Sequence, residues 1–280
     1  MQKTTYKLSA FLIISSLFLV SCGGSEEEVI QEEIIIEDPT EDIITTDDAT
    51  IYMLPSPLQI AELFKSAGLT YIGDLTNPKE NAAKINTKYD QKLNFGVYSA
   101  DMAYCIMNNQ TQESINYLKV LKDLSEKLWM TDILHSMGLS DRLEANIGNE
   151  DSLTYIMADM QMEMDGYLDE NDLGSAGAVI FAGAWVETMY LGVQVNNSEK
   201  NEQLISRLSE QSVVLDGLIG SIKQGNEENE YSDLISDLEK INAHFDAFDE
   251  ESEEAFVLSE EALTNLSHDI VEVRTKIVEL

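Results

Sequence analysis

The sequence is short of proline, cysteine and basic side chains, and each shortage excludes a class of structure. Its four prolines all lie between Pro39 and Pro78, so residues 79–280 contain none. Because proline breaks helix interiors, this absence permits a long series of helices. The two cysteines are Cys22 and Cys105, which excludes a scaffold held by several disulfides or by paired-cysteine zinc sites.

Basic residues are outnumbered three to one by acids, with 17 Lys and Arg against 52 Asp and Glu and a formal charge of −35. Residues 1–21 hold Lys3, Lys7 and no acid, so the chain that follows them carries −37. Such a surface repels nucleic acid and anionic lipid headgroups, and it favours cationic partners or divalent ions. Nucleic acid is therefore not an expected partner.

The N-terminus has the pattern of a secretory signal. Two lysines precede a mostly apolar run over 8–20, which is too short to span a bilayer comfortably. The run closes on Leu19-Val20-Ser21-Cys22, which resembles the lipobox of bacterial lipoproteins. The resemblance implies that 1–21 is a signal peptide and that Cys22 carries diacylglycerol and palmitate chains, which anchor the protein to a membrane. The alternative is an ordinary signal peptide that happens to end in cysteine.

Residues 22–50 are predicted to form an acidic, flexible, disordered tether. Gly23-Gly24-Ser25 begins it, and no Lys or Arg occurs from Gly23 to Asp48. Isoleucines at 34–36 and 43–44 leave a short strand or a docking patch as the alternative. Ser25-Glu26-Glu27-Glu28 also resembles the acidic export signal of Bacteroidota lipoproteins. That resemblance implies display on the cell surface of the outer membrane, rather than on its periplasmic side.

Residues 51–280 are predicted to form an all-α domain, a bundle of roughly ten helices with a possible sub-boundary near 195–198. Glycines at 68, 96, 138, 148 and 225 stand where helices are expected to stop. Apolar periodicity and these stops predict helices at 57–67, 78–95, 97–108, 112–130, 140–147, 151–169, 175–194, 198–223, 230–248 and 259–279.

The last three predicted helices carry the clearest apolar stripes. Three-four spacing of apolar residues on successive helices is typical of an antiparallel bundle. The stripes consist of Leu204, Leu208, Leu215, Leu218 and Ile222, then Leu234, Leu238, Ile241, Phe245 and Phe248, then Leu263, Leu266, Ile270, Val273, Ile277 and Leu280.

The stretch 174–193 is apolar almost all the way round and contains one charged residue, Glu187. Its length would suit a membrane span, but Glu187, the glycines and the polar flanks favour a central buried helix. A buried Glu187 requires a hydrogen-bond or cationic partner, or else faces a ligand pocket together with Trp185 and Tyr190. An exposed carboxylate at the rim of the domain is the alternative.

Other candidate chemistry is weak in this sequence. Cys105 is predicted to be a small buried side chain, because no base lies near it in sequence. The run Met157, Met160, Met162 and Met164 suits adaptable core packing better than copper binding. The acidic stretch 165–174 does not follow the EF-hand pattern, so no cofactor is expected beyond a looser calcium site.

Segments from Leu54–Ala61 to Tyr98–Cys105 resemble parts of uncharacterised helical lipoproteins of Bacteroidota, which implies no activity. The interpretation favoured by the sequence is a non-catalytic binding module for another envelope protein or a surface component. The alternative is a lipoprotein that binds a small molecule or a cation in an interhelical pocket near Glu187. Acids alone could support an enzyme, but no arrangement in the sequence indicates one.

Overall fold

The computed structural model describes residues 43–46, 49–52, 57–128, 130, 138–146, 149–170, 174–226, 229–245 and 256–280. The chain divides into two units, Met1–Ile35 and Ile36–Leu280, and all described residues belong to the second. The signal peptide, Cys22, the export segment Ser25–Glu28 and most of the tether lie outside the described residues. These predictions therefore stay predictions.

A short hairpin precedes the helices. Strand β1, Ile43–Thr46, pairs antiparallel with β2, Ala49–Tyr52, so that Ile43 lies opposite Tyr52 and Thr46 opposite Ala49. The first strand includes Ile43 and Ile44, where a short strand was the alternative to a disordered tether.

All other regular secondary structure of the described chain is helical, which confirms the all-α prediction. Ten α-helices and two 3-10 segments are present in these ranges. They are α1 (Pro57–Ser66), a 3-10 segment (Lys79–Lys84), α2 (Lys88–Met107), α3 (Thr111–Lys127), α4 (Leu139–Ala145), α5 (Glu150–Glu170), α6 (Gly174–Ser198), α7 (Glu202–Ser209), α8 (Gln211–Gln224), α9 (Ser232–Asn242), a 3-10 segment (Ala243–Phe245) and α10 (Glu260–Val278).

Two predicted boundaries are wrong. Residues 78–95 do not form one helix, because Thr87 caps α2: its side-chain oxygen accepts a hydrogen bond from the Asp90 N–H, and the helix begins there. The predicted helix over 198–223 is two helices, α7 and α8, which meet at Glu210. Directly before this junction the buried Ser209 hydroxyl accepts a hydrogen bond from the Leu258 N–H.

The predicted stop at Gly96 is also wrong, since α2 runs through it. A Cβ at Gly96 would stand 2.6 Å from the Ala184 backbone nitrogen, and one at Gly183 would stand 2.8 Å from the Leu93 carbonyl carbon. Both distances are shorter than the contacts that Cβ atoms make with other heavy atoms in proteins. The two glycines therefore let α2 and α6 cross backbone against backbone at the centre of the domain.

Helix α6 is the central helix of the bundle. By length and composition it could cross a membrane, but 83% of its most apolar window is buried inside the protein. Helices α1, α2, α8 and α10 pack around it. The prediction of a buried central helix is confirmed.

The C-terminal stripes are confirmed in their main part. The stripe residues of α7, α8 and α9 are buried, as are Leu266, Ile270, Val273 and Ile277 of α10. Leu280, at the end of the predicted stripe, is 45% exposed because it lies beyond the end of α10. Phe248 falls outside the described ranges.

Candidate functional site

Glu187 is fully buried, and its partner is an arginine from the last helix. Arg274 Nε donates to Glu187 Oε2 at 3.0 Å, and Arg274 Nη2 donates to Oε1 at 3.1 Å. This bidentate pair of hydrogen bonds is the strong form of an arginine–carboxylate contact. The guanidinium carbon also lies 4.4 Å from the centre of the Tyr190 ring. The predicted cationic partner of Glu187 is therefore present.

A second buried acid completes the group. Asp101, on α2, is fully buried, and its Oδ2 accepts a hydrogen bond from the Asn77 N–H at 3.0 Å. It lies near Glu187, whose charge raises the pKa of Asp101, and its Oδ1 is buried with no hydrogen-bond partner among the described residues. We call Asp101, Glu187 and Arg274 the acid–arginine cluster.

Burial sets the protonation of this cluster. Desolvation raises the pKa of Glu187 above its ordinary value, although Arg274 opposes the shift. Desolvation and the neighbouring Glu187 together raise the pKa of Asp101 well above its ordinary value. Protonation of one acid, which both shifts favour, leaves one negative charge against the positive charge of Arg274. The cluster is then neutral, which is the state that a buried ionic group favours.

The cluster holds four parts of the fold together. It joins α2, α6 and α10, and Arg274 Nη2 also donates to the Leu75 carbonyl at 3.4 Å. Two tyrosines clamp the same segment from α2 and α3. Tyr98 Oη donates to the Pro78 carbonyl, and Tyr117 Oη donates to the Asn77 carbonyl, each at 3.1 Å.

The three residues predicted to line a pocket do not all meet. Glu187 and Tyr190 both contact Arg274, whereas the buried Trp185 donates from Nε1 to Gln211 Oε1 at 3.3 Å. On a helix, positions 185 and 187 face nearly opposite sides. Two open surface cavities, of about 480 and 590 Å³, contain none of the three. A ligand at Glu187 would have to displace Arg274.

Sequence reasoning missed Asp101 and Arg274, although a signal for the first was available. Asp101 is the one charged residue between Lys92 and Glu113, just as Glu187 is the one charged residue of α6. A long, otherwise uncharged stretch of helix that contains a single acid, as 93–107 of α2 and the whole of α6 do, is expected to bury that acid. Arg274 gave no such signal, because it lies among other charged residues of α10.

The remaining sequence candidates have structural roles or no described site. Cys105 is buried beside Tyr98 and Met102, and burial raises the pKa of its thiol, as expected of a packing residue. Of the clustered methionines, Met157, Met160 and Met164 are buried in the core. In the proposed calcium stretch, Asp165–Glu170 form the last turns of α5, and 171–173 lie outside the described residues.

The outer side of α5 carries exposed apolar side chains. Tyr155 is 59% exposed and Met162 is 64% exposed, and their spacing of seven residues places them on one face. The helix contains seven acids and no Lys or Arg. Between the two apolar residues, Asp159 accepts a 2.7 Å bond from Arg142 of α4. We call Tyr155, Asp159 and Met162 the α5 face.

Comparison with protein-family models, curated proteins and solved structures finds no match for this chain.

Proposed function

We propose that this chain is a lipid-anchored envelope protein whose helical domain binds another envelope protein and catalyses no reaction. The observation that carries the proposal is the α5 face, where two large apolar side chains are exposed on a helix otherwise rich in acids. Exposed apolar groups rimmed by charge are typical of protein-binding surfaces, and methionine adapts well to a partner.

The anchor in this proposal is the lipid on Cys22. Several acyl chains hold a protein stably at a membrane, and the acidic tether 22–50 separates the helical domain from the bilayer. The segment Ser25-Glu26-Glu27-Glu28 directs the protein to the outer face of the outer membrane. The charge of −37 on the chain after residues 1–21 keeps the protein away from anionic headgroups and from nucleic acid.

The chemistry of the α5 face limits the choice of partner. Glu163 and Asp151 are exposed on the same helix, and no Lys or Arg of α5 offsets them. A complementary surface has an apolar centre that receives Tyr155 and Met162, surrounded by lysines or arginines. The partner is therefore a protein with a basic, partly apolar surface.

Photo-crosslinking in intact cells tests this proposal. A photoreactive amino acid replaces Met162 in one strain and the exposed Gln112 of α3 in a control strain. We expect a discrete crosslinked species of higher mass with the probe at 162 and none with the probe at 112. Adding Glu163→Lys to the 162 strain should abolish the species, because the lysine repels the basic rim of the partner.

Two results would contradict the proposal. One is equal crosslinking from positions 162 and 112, which would mean that the α5 face has no preferred partner. The other is a crosslinked species that survives Glu163→Lys, which would mean that charge complementarity does not select the partner.

A further inference from the structure

A cluster of two histidines, two acids and a lysine lies between the last two α-helices, away from the α5 face. Lys240 lies in the last turn of α9, His244 belongs to the 3-10 segment that follows, and His268, Asp269 and Glu272 come from α10. On a helix, position 272 lies one turn from both 268 and 269. One ligand atom from each of these three residues lies within 4.8 Å of the others.

Asp269 contacts three other members of this cluster, Lys240, His244 and His268. Its side chain is 10% exposed, its Oδ2 lies 2.8 Å from His244 Nε2, and its Oδ1 lies 3.1 Å from His268 Nδ1. Partial burial opposes ionisation of Asp269, but hydrogen bonds from His244, Lys240 and His268 outweigh it and lower its pKa to about 2. The carboxylate is thus charged and oriented, with Oδ1 on the side of His268.

A cation already occupies the space between the acids. The ammonium of Lys240 lies 2.9 Å from Asp269 Oδ1 and 3.0 Å from Glu272 Oε2. The Lys240 side chain is half exposed, so it is free to rotate into solvent. A dication in its place would have two carboxylate oxygens and the Nδ1 of His268 around it.

We propose that His268, Asp269 and Glu272 bind a divalent transition ion of the zinc type, which displaces the ammonium of Lys240. Zinc bonds to imidazole nitrogen and carboxylate oxygen are about 2.0–2.2 Å long. Neighbouring ligand atoms therefore lie about 3.0–3.5 Å apart, a separation that the His268–Asp269 pair already has. Small rotations of the more exposed His268 and Glu272 side chains would bring all three ligand atoms to these separations.

The choice of ion follows from the ligands. An imidazole with two carboxylates suits zinc, copper or nickel, whereas calcium and magnesium prefer oxygen ligands alone. His244 acts as a positioning residue in this site. Its contact with Asp269 Oδ2 leaves Oδ1 for the metal, which is the usual second layer of a metal site.

Titration of the purified protein with zinc, in competition with a chromophoric chelator, tests the site. We expect one ion per chain at this cluster and no displacement by an equal concentration of calcium. His268→Asn and Glu272→Gln should each weaken zinc binding by about tenfold or more. The matched control is Glu239→Gln, which removes an equally exposed acid paired with Lys223 and should leave affinity within about twofold.

Lys240→Gln separates a metal site from a purely structural ion-pair network. Zinc binding should tighten by about tenfold, because the ion no longer competes with an ammonium for the carboxylates of Asp269 and Glu272. Lys200→Gln removes the same charge at a distant exposed pair with Glu260 and should not tighten it. Since His268 is 77% exposed, His268→Asn should melt at the wild-type temperature without metal.

The proposal is overturned if zinc does not bind, if His268→Asn and Glu272→Gln bind zinc like the wild type, or if Lys240→Gln binds it no more tightly than Lys200→Gln. These outcomes leave the function proposed for the α5 face untouched, since none of the variants lies on α5.

Discussion

Replacing Gly183 by alanine should destabilise the protein strongly, although alanine is ordinarily the better helix former. In an exposed helix this exchange gains about 1 kcal/mol. At Gly183 the new Cβ would stand 2.8 Å from the Leu93 carbonyl carbon, in the backbone of α2. Since neither backbone can move without separating α2 from α6, we expect the free energy of unfolding to fall by at least about 1–3 kcal/mol. Urea denaturation followed by circular dichroism measures it.

Gly166→Ala is the matched control for this substitution. Gly166 also lies inside a helix, α5, but a Cβ there would meet nothing within 4 Å. We expect this variant to gain up to about 1 kcal/mol. If both variants shift stability in the same direction and by similar amounts, α2 and α6 do not cross as closely as the structure has them.

Arg274→Met should be the most costly substitution in the acid–arginine cluster. It leaves Glu187 buried without its cation, and breaking a buried pair by removing one partner costs about 3–5 kcal/mol. Arg207→Met is the control, because Arg207 pairs with Glu210 at the half-exposed surface, where about 0–1 kcal/mol is expected. Urea denaturation of both variants at neutral pH measures the difference. Equal costs would contradict the buried pair.

The loss in Arg274→Met should depend on pH in a defined direction. Without Arg274, desolvation raises the pKa of Glu187 further, well above its value in the unfolded chain. A carboxyl group with a raised pKa in the folded state contributes stability at low pH, and that stability is lost as the pH rises through the folded value. We therefore expect the variant to regain stability on acidification from neutral pH towards about 5. Adding Glu187→Gln should remove the part of this dependence that Glu187 contributes and leave the part that the buried Asp101 contributes.

The helical architecture could be predicted because its signals are local. The stripes over α8, α9 and α10 repeat every three or four residues, and each repeat fixes which side of a helix is buried. The same holds for α6, whose apolar composition all round indicates a helix surrounded by others. Glu187 stood out within it for the same reason, since an acid in such a helix must find a partner.

The partners themselves could not be predicted, because they depend on contacts between distant segments. Asp101 and Arg274 are separated from Glu187 by 86 and 87 residues, and no spacing rule joins them. Gly96 shows the same limit. In a sequence, a glycine can equally well indicate the end of a helix or a close contact between two helix backbones. At Gly96 only the packing of α6 against α2 shows that it is the close contact. The contacts of Lys240 and His244 with Asp269 likewise form only when α9 and the 3-10 segment after it pack against α10.

The lipid on Cys22 is the feature on which the proposed location and role depend, and mass spectrometry of the protein extracted from cell membranes tests it most directly. Lipoprotein processing predicts that the N-terminal peptide begins at Cys22 and carries diacylglycerol and palmitate chains. An N-terminal peptide that begins elsewhere, or an unmodified Cys22 in a protein that still fractionates with membranes, would contradict the proposal.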